Sequence, residues 1–265
     1  MATAILKTVL EHLPENNRLE RIWKLAQIDF MRRYYNDRLG LVWALINPLF
    51  QIVVYYVVFT RVFGNRDPNF VLILSSGILF WGVFAEITKG GMAVVKTKRY
   101  LIENIQFDKL DLFIAYALSV FMGFLFNLGV YLLLAILLDA NLNFNVIFVF
   151  PLLFNVFLFS IAVTMILSVL VLFFDDVRHL WDMLLFAGFW GSGVIYPMDL
   201  LVVKLPVLPY LNPFIGLLSN CRNVLLYGTP PNYILFFYDL AIGLFLFIIA
   251  LWLFRRTEHL ILEKR

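Results

Sequence analysis

Residues 140–174 read ANLNFNVIFVFPLLFNVFLFSIAVTMILSVLVLFF and contain no charged side chain. An α-helix needs about 20 apolar residues to cross the hydrocarbon core of a bilayer. A soluble domain has no use for an uncharged stretch of this length. The stretch therefore predicts a membrane-spanning helix, which we place at residues 146–173.

Similar uncharged stretches lie on both sides of this one, separated by short clusters of charge. They cover residues 39–60, 68–85, 112–138, 183–198, 205–221 and 240–254. We predict an all-α integral membrane protein with six transmembrane helices. The predicted spans are residues 41–62, 70–88, 111–138, 146–173, 180–197 and 232–254.

The composition supports a membrane protein and gives little support to an enzyme. Of the 265 residues, 62% are hydrophobic and 15% are charged, whereas soluble domains carry about 25% charged residues. The single cysteine, Cys221, excludes an internal disulfide and a cysteine-pair metal site. The three histidines, His12, His179 and His259, lack metal-ligand spacing, and no nucleophile or phosphate-binding motif is present.

The distribution of basic residues predicts the orientation. With both termini in the cytoplasm, 17 Lys and Arg residues fall on cytoplasmic segments and four on outer segments. Such a bias is typical of cytoplasmic loops. We therefore predict a cytoplasmic N-terminus at 1–38, a transmembrane domain at 39–254 and a cytoplasmic tail at 255–265.

Residues 19–38, LERIWKLAQIDFMRRYYNDR, are too polar to span a membrane. Their apolar side chains fall roughly on one helical face. These are Ile22, Leu25, Ile28, Phe30 and Met31. The pattern predicts an amphipathic helix in the cytoplasmic interface of the membrane. The alternative is a solvated helix packed on a partner.

Residues 198–231 form an apolar outer segment that is broken by repeated prolines. Apolar residues recur with helical spacing over 214–227. We predict two short re-entrant helices, since irregular backbone at membrane depth must be satisfied by protein or water. The segment is either an outer gate or a passive cap.

A few polar residues lie within the predicted spans. Glu86 and Lys89 are three residues apart on one helical face and are expected to pair. Asp239 lies near the outer start of the last span. Asn127 and Asn155 are expected to form hydrogen bonds between helices. No chain of buried acids is present, which argues against proton- or ion-coupled transport.

Aromatic residues are concentrated in the first and fifth predicted spans. They are Trp43, Phe50, Tyr55, Tyr56, Phe59, Phe186, Phe189, Trp190 and Tyr196. Aromatic faces stack on the C–H faces of sugar rings, so these residues suit a sugar-lined channel. The alternative is interfacial anchoring, which membrane proteins commonly assign to Trp and Tyr.

Four local patterns, in order along residues 20–255, resemble the permease subunit of ABC-2-type exporters of the polysaccharide and polyol-phosphate export family. They are LGLVWALINP at 39–48, NIQFDKL at 104–110, FDDVRHL at 174–180, and Phe189-Trp190 to Tyr196 followed by Asn212-Pro213-Phe214 and Arg222. Asp175, Gly193 and the sequence at 106–108 depart from the family's motifs.

The resemblance implies the membrane component of an ATP-driven exporter in the cytoplasmic (inner) membrane. Such permeases are homodimers bound to two copies of a separate ATPase, which binds the ATP and Mg²⁺. No cofactor is expected in this chain, and no nucleic-acid partner. The implied substrate is a lipid-linked polymer of the O-antigen, capsule or teichoic-acid type, carried on a lipid such as undecaprenyl diphosphate. The alternative is an ABC-2 exporter of drugs or small lipids.

The resemblance also implies roles for particular residues. The substrate entrance and its diphosphate site would comprise Arg32, Arg33, Arg38, Leu39 and Gly40, although these arginines equally suit anchoring to inner-leaflet lipids. Contacts with the ATPase would involve Lys98, Arg99, Asn104, Phe107, Asp176 and Arg178. The outer gate would include Pro197, Asn212, Pro213 and Arg222. The aromatic residues above would line the channel.

Overall fold

The computed structural model describes residues 17–34, 40, 42–64, 67–105, 107–197, 203 and 205–258, and these residues contain helices and no β-strand. The amphipathic segment and first span form α1 (Arg18–Tyr34) and α2 (Val42–Val57), the latter continued by a π-helical turn at Val58–Val62. The remaining helices are α3 (Phe70–Gly91), α4 (Val94–Thr97), α5 (Arg99–Asn104), α6 (Leu110–Leu137), α7 (Val149–Phe173, preceded by a 3₁₀ turn at Phe144–Phe148), α8 (Val177–Gly191), α9 (Leu208–Leu211), α10 (Pro213–Leu225) and α11 (Tyr233–Thr257).

Five helical segments in the described part of the chain are long and apolar enough to cross a membrane. They are Val42–Val62, Phe70–Gly91, Leu110–Leu137, Phe144–Phe173 and Tyr233–Thr257. Each coincides with one of the predicted spans. The prediction of an all-helical, multi-pass membrane protein is confirmed.

The remaining predicted span, 180–197, is occupied by the shorter helix α8. Its 15 residues rise about 22 Å at 1.5 Å per residue, less than the hydrocarbon core of about 30 Å. The helix ends at Gly191, and Gly193 follows with a φ of 70°, a conformation that glycine adopts without strain. That α8 crosses the membrane stays a prediction.

The spans differ sharply in their burial. In its most apolar stretch, α3 has 78% of its residues buried, whereas α2 has 6%. Helix α3 occupies the centre of the fold, packed against α2, α6, α7 and α10. Gly77 permits one close contact, because a β-carbon there would lie 2.0 Å from the carbonyl oxygen of Val194. Helix α2, with the fewest buried residues of the long spans, is the exposed side of the bundle.

Helix α1 packs on α6 and uses its predicted apolar face to do so. Ile22, Leu25 and Phe30 are buried, whereas Met31 is exposed. The predicted helix is present, but most of its apolar face contacts the protein itself. Both the interfacial position of α1 and the alternative of a solvated helix packed on a partner stay predictions.

The predicted outer segment contains the two short helices α9 and α10. The apolar side chains of α10 are almost completely buried; they include Phe214, Ile215, Leu217, Leu218, Cys221, Val224 and Leu225. This helix packs against α3, α7 and α11. It is thus part of the bundle, and its position relative to the membrane remains a prediction.

Candidate functional site: a polar cavity beside the first span

Helices α1, α2, α3 and α6, with Gly40, surround a cavity of about 430 Å³. This volume lies in the range of small-molecule sites, roughly 300–1,000 Å³. Apolar side chains of α3 and α6 form part of the wall. The polar side chains that line the cavity are Arg33, Tyr34, Asn47, Gln51, Glu86 and Asn127.

The spacing of residues along α2 determines which of its side chains line the cavity. Trp43, Asn47 and Gln51 recur every four residues and therefore share a face, which lines the cavity. Pro48 also lines it and has no N–H group, so the carbonyl of Ala44 receives no helical hydrogen bond from that position. This wall thus contributes an indole and two amides to the lining of the cavity.

The wall contributed by α3 carries the only carboxylate among the described residues that line the cavity. Gly82 and Glu86 are four residues apart and share the face that lines it. A β-carbon at Gly82 would meet no atom within 4 Å, so the space above this residue is open. The Glu86 side chain is 46% exposed.

An ion pair links α1 to α3 at the cavity. Nη1 of Arg33 lies 2.8 Å from Oε1 of Glu86. The Arg33 guanidinium also lies over the Tyr116 ring, 5.1 Å from its centroid. The predicted pairing of Glu86 with Lys89 is wrong, because Lys89 contacts Asp182 on α8 at 2.7 Å.

The predicted substrate-entrance residues are only partly gathered at this cavity. Arg33 and Gly40 line it, whereas Arg32 is exposed at the end of α1. Gly40 has a φ of 48°, and its carbonyl accepts a hydrogen bond from the Trp43 amide at 3.3 Å. Arg38 and Leu39 lie outside the described residues.

The predicted channel aromatics do not converge on the cavity, because Trp43 alone among them lines it. The Tyr55 and Phe189 rings meet across α2 and α8, with centroids 5.9 Å apart. Phe189 also contacts Trp190 at 5.9 Å. The Tyr196 hydroxyl donates a hydrogen bond to the Trp190 carbonyl.

The other predicted channel aromatics lie farther along the same helices. Tyr56 and Phe59 contact the Phe70 ring at 6.5 and 5.7 Å. Phe50 and Phe186 are strongly exposed. Within one copy of the chain, these aromatic residues therefore form two small clusters and an open surface.

Two of the predicted ATPase-coupling residues point into the protein. The Lys98 ammonium pairs with the Asp29 carboxylate on α1, and both side chains are largely buried. The Arg21 guanidinium lies over the Phe107 ring, 5.7 Å from its centroid. These residues attach α1 to the segment that joins α3 to α6.

The other predicted coupling residues are more accessible. Arg99 pairs with Glu103 one turn later at 2.6 Å, and the Asn104 amide donates to a backbone carbonyl in its own helix. Asp176 is exposed before α8. Nε and Nη2 of Arg178 are buried and have no hydrogen-bond partner in the described part of the chain.

Arg222 is the central residue of the predicted outer gate. Its buried guanidinium donates hydrogen bonds to backbone carbonyls on two segments. The acceptors are the carbonyls of Ile73, Gly193, Val194 and Tyr196, at 2.8–3.0 Å. Arg222 thereby joins α10, α3 and the turn after α8.

The other predicted gate residues begin α10 or precede it. The Asn212 side chain accepts a hydrogen bond from the Phe214 amide at 3.1 Å and donates one to Ser192 at 2.9 Å. Pro213 occupies the first turn of α10, where its missing N–H is tolerated. Pro197 follows the turn after α8.

The remaining polar residues of the spans have different environments. The Asn155 amide donates to the Phe236 carbonyl at 3.4 Å, which confirms the predicted bond between helices. The Asn127 amide donates to Gly123 in its own helix at 3.3 Å, so the corresponding prediction for Asn127 is wrong. Asp239 is buried, and its carboxylate oxygens have no hydrogen-bond partner among the described residues.

Sequence reasoning missed Tyr34, Asn47 and Gln51 and gave Glu86 the wrong partner. One signal was available for two of them, because Asn47 and Gln51 repeat the four-residue spacing that begins at Trp43. The contact between Arg33 and Glu86 had no such signal, since 53 residues separate them in the chain.

A family model described as "ABC-2 type transporter" matches residues 20–226 of this chain, a range that includes every residue lining the cavity. The O-antigen export system permease protein RfbA of Myxococcus xanthus is 27% identical over 211 residues, which cover 78% of this chain and 81% of that protein. Two Klebsiella pneumoniae proteins of the same name are 23% and 22% identical over 236 and 233 residues, in both cases 87% of this chain and 89% of the relative.

Proposed function

Because this chain belongs to the ABC-2 type transporter family, we propose that it is the channel-forming permease of an ATP-driven polysaccharide exporter. Its cargo would be a lipid-linked polymer of the O-antigen, capsule or teichoic-acid type. The observation that carries this proposal is the similarity over most of the chain to three permeases named for O-antigen export.

The chemistry of the cavity supports this cargo. Amides such as Asn47 and Gln51 can donate and accept hydrogen bonds with sugar hydroxyls. Trp43 can stack on a sugar face, and Arg33 can bind phosphate oxygens through two parallel hydrogen bonds. The cavity therefore suits the junction between the diphosphate of a carrier lipid and the first sugars of the polymer.

The open surface of α2 supports a second copy of the chain as partner. This helix is the least buried of the five long spans and exposes aromatic residues such as Phe50 and Tyr56. In a homodimer, α2 and α8 of each copy would face a shared channel. The two clusters of predicted channel aromatics would then line one path.

A separate ATPase, present in two copies, would bind ATP and Mg²⁺ and would contact the cytoplasmic segments around α5 and before α8. ATP binding and hydrolysis would change the separation of the two permease copies. The polymer would then move past several weak sites, each of which it can leave, as permeation requires.

Deletion of the gene in its host tests the proposal. We expect loss of surface polysaccharide and accumulation of lipid-linked polymer on the cytoplasmic side, and plasmid-borne protein should reverse both effects. Unchanged surface polysaccharide with altered sensitivity to small hydrophobic compounds would instead support the export of drugs or small lipids.

A further inference from the structure

We propose that Glu86 is a built-in competitor for the anionic group of the substrate. In the resting protein the Glu86 carboxylate is paired with the Arg33 guanidinium. A phosphate or diphosphate must displace this carboxylate in order to bind Arg33. This inference rests on the proposed function, which it deepens by assigning a resting state and a selective step to the cavity.

The contact between the two side chains is close, yet it leaves hydrogen-bonding capacity unused. Nη1 of Arg33 lies 2.8 Å from Oε1 of Glu86. The same Nη1 atom is buried and has no hydrogen-bond partner among the described residues, so its N–H groups are not directed at the carboxylate. The pair therefore neutralises charge without a well-aligned hydrogen bond at Nη1, which makes the carboxylate easier for another anion to displace.

The Arg33 guanidinium is supported independently of Glu86. It lies over the Tyr116 ring at 5.1 Å and near the Tyr34 ring at 6.0 Å. Aromatic faces attract cations, so these rings hold the guanidinium after the carboxylate leaves. Arg33 thus remains at the wall of the cavity and is available to a ligand.

Glu86, in contrast, has space in which to move. Its side chain is 46% exposed, and the position above Gly82, one turn earlier, is open. Lys89, the basic residue three positions along α3, contacts Asp182 and is thus already paired. A displaced Glu86 carboxylate can therefore turn into the water of the cavity.

This arrangement discriminates by charge. A diphosphate presents several adjacent oxygens and more negative charge than a carboxylate, and it can bind an arginine through two hydrogen bonds. It can therefore replace Glu86 at Arg33, whereas a neutral alcohol or sugar cannot. The ion pair would exclude molecules that fit the cavity but lack an anionic head group.

The test uses the full-length permease with its ATPase in lipid nanodiscs and measures equilibrium binding of fluorescent undecaprenyl diphosphate. Glu86→Gln keeps the shape of the side chain and removes its charge. We expect it to lower the dissociation constant by about three- to fivefold, the upper part of the range expected when a weak competing ion pair is lost. Arg33→Gln should raise the dissociation constant, and in that background Glu86→Gln should have no further effect.

Asp182→Asn is the matched control. Asp182 forms an ion pair of similar length with Lys89, and its side chain is about as exposed as that of Glu86, but it does not line the cavity. We expect Asp182→Asn to bind undecaprenyl diphosphate with a dissociation constant within about twofold of the wild-type value. The reason is that a solvated ion pair outside the cavity does not compete with the ligand.

Three results would overturn the inference. Weaker or unchanged binding by Glu86→Gln, with wild-type melting behaviour, would make Glu86 a structural partner of Arg33. Equally improved binding of fluorescent undecaprenol, the uncharged alcohol, would show that charge is not the cause. Failure of every variant and of the wild type to bind the diphosphate would remove the proposed function together with this inference.

A competition arm separates two sources of the anion. If inorganic pyrophosphate displaces the lipid from Glu86→Gln at similar concentrations, the head group alone carries the recognition at Arg33. If it displaces the lipid only at far higher concentrations, the lipid chain also contributes and the ligand is a membrane-bound diphosphate.

Discussion

At the scale of single residues, Arg222 shows how backbone carbonyls can fix a buried helix such as α10. Its guanidinium binds backbone carbonyls of α3 and of the turn after α8, and also the Ser76 hydroxyl. Peptide carbonyls carry partial negative charge, so several of them can stabilise a buried cation. The residue therefore holds α10, α3 and the turn after α8 together.

Arg222→Met should destabilise the permease strongly. The substitution retains an apolar stem but leaves several buried carbonyls without donors, and each unsatisfied group costs about 1–3 kcal/mol. We expect a clear fall in melting temperature in detergent. Arg255→Met provides a control at an exposed arginine, and equal stability of the two variants would contradict the role of Arg222.

Gly82→Leu should block transport without harming the fold. A β-carbon at Gly82 has open space around it, so the leucine side chain would extend into the cavity. We expect surface polysaccharide to fall at least about tenfold while the amount of protein in the membrane stays normal, since a filled site excludes its ligand.

The control for Gly82→Leu is Gly129→Leu. Gly129 is also helical, and a β-carbon there also meets no atom within 4 Å, but it does not line the cavity. Normal export by Gly129→Leu is expected. Normal export by Gly82→Leu would show that the substrate does not use this cavity.

At the scale of helices, α1 is tied to the bundle by charges as well as by its apolar face. The fully buried Asp111 carboxylate contacts Arg21 at 2.7 Å and Arg18 at 2.8 Å. Lys98 contacts Asp29 farther along α1. These contacts fix the helix so that its last turn presents Arg33 and Tyr34 to the cavity.

Asp111→Asn should loosen α1. The substitution removes the carboxylate charge that pairs with the buried Arg21 guanidinium, and breaking a buried pair costs about 3–5 kcal/mol. We expect faster tryptic cleavage within α1 and a lower melting temperature. The control is Glu103→Gln, which removes only an exposed pair within α5 and should change the free energy of unfolding by less than about 1 kcal/mol. A comparable loss of stability in both variants would show that Asp111 does not hold α1 on the bundle.

At the scale of the whole molecule, the number of crossings decides where the two termini lie. Five long spans would place the termini on opposite sides of the membrane, whereas the distribution of Lys and Arg predicts that both are cytoplasmic. The two statements agree if α8 and the residues after it also cross. The position of residue 203 relative to the membrane therefore tests the topology.

Cysteine labelling in intact cells should resolve the topology. Cys221 is buried, with 1% of its surface exposed, so the native chain should give little background. Val203→Cys, at a position that is 84% exposed, should react with a membrane-impermeant maleimide from outside. Glu103→Cys should react only after permeabilisation, and the same requirement at residue 203 would mean that α8 does not cross.

The sequence by itself determined the class of the fold and the place of its long helices. Uncharged stretches such as 140–174 can be stable only in lipid or in a fully apolar interior, so their length and spacing were sufficient to locate five spans. Short helices between 198 and 231 were also predicted, because the repeated prolines of this segment limit helix length there.

Only the tertiary structure decided which residues share a site. Glu86 met Arg33 because α1 folds back onto α6 and α3, and no periodicity along the chain encodes that approach. Likewise, α1 turned its apolar face toward the protein, since buried ion pairs at Asp111 and Lys98 hold it there. Local spacing is set by the geometry of one helix, whereas the cavity depends on contacts between residues far apart in sequence.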